Sequence, residues 1–330
     1  MLLEFDADQR LWQETVREAV TRQCPASLVR GIAEDGADAT PLWKVWVDAG
    51  WTELADAENA VELAIVLEEL GRATDPTPYL ATMSQFAPLV GERFDPQSAG
   101  AAVYDGVTAR RDATGWVLDG TARHVLDADR AERLAVVTAA GVFLVDAAEA
   151  AIRRSEVFDP VLHVADVSLS GVRVADTERL HVDVEKARHV ALTGMAVHMV
   201  GACRRILDLA LEHVKQRHQF GVPIGSFQAI QHKAADMHVA IERARALSYF
   251  AALTIAADDP RRRLAAAMAK ASAGECQALV FRHGLQMFGA MGFTWENDLQ
   301  FALKRAKAGE LMLGGAAEHR AVVVEEYGKQ

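Results

Sequence analysis

Three short stretches of this 330-residue chain carry residue types suited to holding an anionic nucleotide. Arg217-His218-Gln219-Phe220-Gly221 sets a guanidinium beside a turn-forming glycine, and Phe227-Gln228 follows closely. Gln286-Met287-Phe288-Gly289-Ala290-Met291-Gly292-Phe293 adds a second glutamine and two glycines. A guanidinium meets a pyrophosphate through paired, charge-assisted hydrogen bonds. A glutamine amide offers both a donor and an acceptor to ribose, adenine or backbone. The small residues Gly289, Ala290 and Gly292 let a ligand approach the chain closely. Taken singly, each has an ordinary alternative: Arg217 as a solvated charge at a helix C-terminus, Gln228 and Gln286 as surface amides, the glycines as a helix cap.

Composition narrows the classes of ligand. A net charge of -11 and a pI near 5.5 argue against a nucleic-acid surface, which needs clustered, uncompensated Lys and Arg. Cys24, Cys203 and Cys276 are far apart and lack CxxC spacing, so neither a disulfide framework nor a zinc site is expected, and a reducing cytoplasm is the simplest setting. The start Met-Leu-Leu-Glu-Phe-Asp-Ala-Asp lacks the basic and apolar parts of a signal peptide, and no apolar run reaches about 18 residues, so no membrane span is expected. The histidines His181, His189, His198, His213, His218, His232, His283 and His319 show no H-E-x-x-H spacing, and no metal is expected.

The elements that must position these stretches follow from the apolar period. The chain is too long for one core, and reads as three segments: residues 1–94, 95–182 and 183–330. The first segment reads as helices over 6–22, around 42–46 and over 60–70, with Gly71 as a C-cap and Pro76 and Pro78 turning the chain away. Trp43, Trp46 and Trp51 read as core. In the second segment Trp116-Val117-Leu118-Asp119-Gly120, Leu134-Ala135-Val136-Val137 and Val142-Phe143-Leu144-Val145 read as strands, with a turn at Ala140-Gly141, and residues 163–174 alternate. In the third, Met195, Met199, Cys203, Leu207, Leu211 and Val214 form one helical stripe and Ile230, Ala234, Met237 and Ile241 another. Asp258-Asp259-Pro260 separates the second helix from a third over 262–288, so this segment reads as a helical bundle.

The ordered set RxQFG, FQ and AADM over 217–237, with QMFGAMGFTWEN over 286–297, resembles the acyl-CoA dehydrogenases. Leu42-Trp43 through Gly50-Trp51 and Glu68-Glu69-Leu70-Gly71-Arg72 are also similar to that family, so the resemblance covers most of the chain and is strongest after residue 187. It implies a mainly α protein with a central β domain: the acyl-CoA dehydrogenase fold, with an N-terminal helical domain, a middle β-barrel-like domain and a C-terminal four-helix bundle. It also implies FAD as cofactor, an acyl-CoA substrate and an electron-transfer acceptor. In that family two subunits share each flavin. By resemblance Arg217, His218, Gln219, Phe227, Gln228, Gln286, Met287, Phe288, Gly289 and Ala290 would reach the adenosine and pyrophosphate of a neighbour's FAD. Ala290 departs from the glycine of many relatives, at little cost in volume.

The reaction implied removes a proton α to the thioester carbonyl while the β hydrogen leaves as hydride to flavin N5, and a carboxylate must take the proton. The family commonly places a glutamate before its last helix, where this chain has Leu313, followed by Gly314-Gly315. Some members carry the base at the start of the helix before RxQFG; the matching position is near Ala191, with Glu185 the nearest carboxylate upstream. Glu310 and Glu318 flank the loop as ordinary solvated acids. The family's flavin loop has no counterpart in 101–111, and His124 and Leu126 stand where relatives place Trp and Thr. These departures are similar to those of short, diverged subunits that pair with a second acyl-CoA dehydrogenase subunit in α2β2 assemblies of actinobacterial steroid side-chain catabolism. Two alternatives stay open: a self-sufficient homo-oligomer with a displaced base, and a flavin-free scaffold or regulatory subunit.

Overall fold

Asp6 opens the first helix with a reciprocal cap: its carboxylate accepts the Gln9 backbone N–H at 2.8 Å, and its own N–H reaches the Gln9 side chain. From there the computed structural model describes residues 4–113 and 115–329. The helices of the first third are α1 Ala7–Gln23, α2 Ala26–Asp35, α3 Thr40–Asp48, α4 Ala60–Ala73, α5 Tyr79–Ala81 and α6 Ala87–Val90, the last two joined by a π turn at Thr82–Phe86. The strands are β1 Gly100–Val103, β2 Val107–Arg111, β3 Trp116–Leu126, β4 Arg133–Thr138, β5 Gly141–Asp146, β6 Ala151–Arg154, β7 Val164–Val174 and β8 Arg179–Leu180. Then come α7 Val184–Gln216, a short hairpin of β9 His218–Gln219 and β10 Val222–Pro223, α8 Gln228–Ala256, α9 Arg262–Phe288, α10 Leu299–Leu311 and α11 Ala316–Tyr327.

The described chain packs into two compact units. One contains the chain up to Ala37, Ala60–Asp75 and the chain from Leu192 onward; the other contains Asp38–Asn59 and Pro76–Ala191. Residues contiguous in the first ninety positions therefore contribute to both.

In the first unit α1 lies on α4, with the Trp12 indole donating to Glu62 O and Arg17 paired with Glu69 at 2.7 Å. The bundle core is filled by Ile206, Met237, Ile241, Val280 and Leu303, so the stripes on α7 and α8 face inward as their period requires. By length and composition α7 is apolar enough to cross a bilayer, but most of that stretch is buried in the fold.

Gly71 is not the cap of α4. It lies inside the helix, where a Cβ would stand 2.1 Å from His198 O on α7; Gly201 is its reciprocal, with a Cβ 1.9 Å from Glu68 O. The two backbones touch, and only glycine permits that. The helix instead ends at Thr74, which adopts φ 58°, with Asp75 N–H donating back to Leu70 O.

Beside this crossing His198 is buried next to Arg305, whose guanidinium donates to Asp75 O at 2.7 Å. Burial, reinforced by Arg305, pushes His198 down to about pH 3, so the ring is neutral in the native state. The unfolded chain takes up this proton near pH 6.5, so the stability tied to the neutral ring is present above pH 6.5 and is lost as pH falls toward 3. His198→Gln should therefore flatten the acid limb: urea midpoints of parent and variant, compared from pH 7 to 4, should converge as pH drops. A constant difference would assign the acid sensitivity elsewhere.

In the second unit Trp46 and Trp51 stack at 4.5 Å and the Tyr79 hydroxyl donates to Trp51 O, so the aromatic trio around α3 is core. The eight strands β1–β8 form two four-stranded sheets, ordered β1-β4-β5-β8 and β2-β3-β7-β6, with β1 parallel to β4. Leu118 and Val167 of one sheet and Leu134 and Phe143 of the other share a single core. The sheets do not close into a barrel among the described residues, which corrects the barrel-like expectation for this region. Helices α2 and α5–α6 were not anticipated: α2 has no side-chain cap, and Pro78 opens the 79–90 stretch rather than ending a helix.

Candidate functional site

Two segments meet at one end of the bundle. At the end of α7 the Arg217 N–H donates to His213 O, and the Arg217 carbonyl accepts from Ile224 N at 2.8 Å, closing the β9–β10 hairpin. Val222 pairs with Gln219 and Pro223 with His218; the two residues between, Phe220 at φ 55° and Gly221 at φ 80°, make a type I′ turn. A phenylalanine in this region is unusual, and its ring is 91% exposed, held edge-on to Phe227 at 6.1 Å. One turn before Arg217 the His213 ring stacks on Phe288 at 4.3 Å, which brings the end of α9 beside the hairpin. Gly289 then breaks α9 at φ 60°, where a Cβ would meet nothing within 4 Å.

Of the expected cofactor contacts, Arg217, His218, Gln219, Phe227, Gln228, Gln286, Gly289 and Ala290 are exposed. Met287 and Phe288 are buried in the bundle core, and their side chains hold the end of α9 in place. Gln219 donates to His218 O and His218 Nδ1 lies 3.0 Å from Gln216 O. Arg217, Gln228 and Gln286 make no side-chain hydrogen bond or ion pair among the described residues. Burial and Arg217 hold His213 below the usual histidine range; burial with Lys233 and Arg282 does the same to His283. The bundle end is thus a local cationic patch on an acidic chain, with a free guanidinium and two free amides, which fits the adenosine and pyrophosphate end of FAD.

The loop between α10 and α11 carries no base. Leu313 adopts φ 57° and Gly314 φ 88°. Leu313 O faces His319 Nε2 at 2.8 Å, and Gly314 O accepts from the Lys270 ammonium at 2.7 Å. Lys270 is wholly buried, and burial pushes it down to about 8, partly offset by Glu310 and Glu318. Glu310 accepts the Ala316 backbone N–H, and Gly274 leaves the room its carboxylate needs. Glu318 is exposed. Lys270 escaped the sequence reading because nothing local distinguishes it within the alanine-rich α9.

The other candidates lie in the second unit. Glu185 is exposed in the first turn of α7, whereas Ala191 is buried. His124, at φ 58°, is exposed on β3, and Leu126 is buried. Residues 101–111 form β1, a turn and β2.

Helices around two facing sheets, completed by a long C-terminal bundle, define the acyl-CoA dehydrogenase fold. The acyl-CoA dehydrogenase C-terminal domain family matches residues 186–327. The acyl-CoA dehydrogenase IpdE2 of Mycobacterium tuberculosis is 30% identical over 322 residues, covering 94% of each chain. Among solved structures, the ChsE4–ChsE5 complex of M. tuberculosis superposes at a TM-score of 0.89 with 22% identity over the full length of both chains. The Tcur3481–Tcur3483 steroid acyl-CoA dehydrogenase does so at 0.83 with 24% identity over 98% of each. The chain belongs to the acyl-CoA dehydrogenase family, whose members bind FAD.

Proposed function

We propose that this chain is one subunit of a cytoplasmic, FAD-dependent acyl-CoA dehydrogenase that desaturates an acyl-CoA thioester between the α and β carbons, and that it works only with a second dehydrogenase chain in an α2β2 assembly. When bound, FAD supplies the hydride acceptor. Arg217 would pair with the pyrophosphate, Gln228 and Gln286 with the adenosine half, and the bare backbone at Gly289 and Ala290 would let the nucleotide approach. The partner supplies the carboxylate that takes the α proton, because Leu313 has none to offer. One observation carries this reading: the cationic end of the bundle is intact and unpaired while the α10–α11 loop holds a leucine. The similarity to the ChsE4–ChsE5 complex and to a steroid acyl-CoA dehydrogenase supports a paired assembly and a steroid-derived acyl group as substrate. Electrons then leave to an electron-transfer acceptor.

The test is the FAD-to-protein ratio from absorbance, for this chain alone and coexpressed with a neighbouring dehydrogenase subunit. The expected result is about one flavin per pair of unlike chains in the complex and little in the isolated chain. One flavin per isolated chain would overturn partner dependence and make Glu185 the first residue to replace; no flavin in either preparation would leave a scaffold.

A further inference from the structure

The sequence keeps its cysteines far apart, and the fold brings two of them together. Cys203 on α7 and Cys276 on α9 are both wholly buried in the bundle core, among Ile206, Met237 and Val280. Their thiols share a hydrogen bond, and that contact together with burial holds the Cys203 thiol well above the usual cysteine range. Cys24, at the end of α1, lies beside Asp75 and Arg305 instead.

The two helices also run close together. About one turn along α7 and two turns along α9 from the cysteines, a Cβ at Gly284 would stand 2.5 Å from Cγ2 of Ile206, so glycine is what lets α9 come against α7 there. A disulfide needs Cβ atoms about 3.5–4.5 Å apart, and thiols already in contact across helices packed this closely are near that geometry.

We infer that Cys203 and Cys276 are a latent disulfide, closed by a small, neutral two-electron thiol oxidant when the bundle opens locally, and that the bond then ties α7 to α9 and stiffens the bundle. Diamide is such an oxidant. One thiol adds across its N=N bond, forming an S–N bond and leaving its proton on the other nitrogen. The second sulfur then displaces the first nitrogen: S–S forms as S–N breaks, and the second proton completes the hydrazine. The two thiols lose two electrons and two protons in all, and the azo group gains them. Because burial keeps the sulfurs covered and protonated, the reaction is slow and follows opening of the core rather than attack at the surface. The bond closes a loop of roughly 70 residues, which constrains the unfolded chain. The inference does not rest on the flavin reading, since neither cysteine is among the residues assigned to FAD.

The full-length chain is incubated with excess diamide at room temperature and again just below the onset of melting, then denatured, and its remaining thiols are counted. The count should fall from three to one, faster at the higher temperature, with the Cys203 and Cys276 peptides linked within a monomer. The linked protein should melt about 5 °C higher than the reduced one and return on addition of dithiothreitol. Cys276→Ala, and Cys203→Ala as a second variant, should show neither the link nor the rise. Three thiols remaining at both temperatures, links only between molecules or through Cys24, or a linked monomer that melts no higher than the reduced one would overturn the inference.

Discussion

Arg217→Ala is expected to strip most of the FAD from the complex of this chain with its partner. The guanidinium is exposed, has no partner of its own, and stands at the cationic end of the bundle. Its removal therefore leaves no internal group unsatisfied, and the chain should fold normally. Loss of a bidentate, charge-assisted contact costs roughly 1.5–3 kcal/mol, or about 10- to 150-fold in affinity. Gln286→Ala, which removes a neutral donor and acceptor, should cost less, about 0.5–1.5 kcal/mol. Flavin content measured by absorbance after gel filtration checks both, and an undiminished ratio in Arg217→Ala would remove the shared-site reading. Lys215→Ala, nearby but in the last turn of α7, serves as a charge control.

The largest effect on stability should come from Gly201→Val. The new side chain would start 1.9 Å from Glu68 O and 2.8 Å from Arg72 N, both backbone atoms that cannot swing aside. Separating α4 from α7 would also disturb the Arg72–Asp208 ion pair between them, and would shift Glu68 against Arg245 of α8. A penalty above about 3 kcal/mol is expected, enough to leave little soluble, cooperatively melting protein. Gly31→Ala on α2 is the contrasting control: nothing lies within 4 Å of its Cβ position, so alanine should be neutral or stabilise by about 0.5–1 kcal/mol. Equal melting temperatures for Gly201→Val and the parent would mean that the two helices do not touch as described.

What the sequence made legible was what periodicity and punctuation encode. The stripes of α7 and α8, the strands β3, β4, β5 and β7, and a turn after Arg217 all announce themselves within a dozen residues, although the strand pairing that makes the turn a hairpin does not. The failures are equally specific. Glycine ends helices often, which favours a cap at Gly71, but the role of Gly71 is set by His198, far along the chain, and no local pattern reports that contact. Met287 and Phe288 sit in the same run as Gln286 and Gly289, yet helix geometry turns them inward onto the bundle. Proximity of the hairpin to the end of α9 depends on the His213–Phe288 stack, again a distant pair. The absence of a carboxylate at Leu313 could be read directly, whereas the buried Lys270 that fastens its loop could not.

The interleaving of the two units bears on how the chain is made. Every residue of the Asp38–Asn59 and Pro76–Ala191 unit has left the ribosome before α8 exists, so that unit can fold during synthesis. The other unit cannot: α1 rests on α4, but α4 in turn needs Gly201 of α7 beneath it and Arg245 and Tyr249 of α8 to satisfy Glu68. The earliest-made helices must therefore wait, with apolar faces uncovered, until more than half the chain has followed. That interval of exposure, rather than any weakness of the finished core, is where production of this protein is most vulnerable to truncation and to crowding by its own nascent copies.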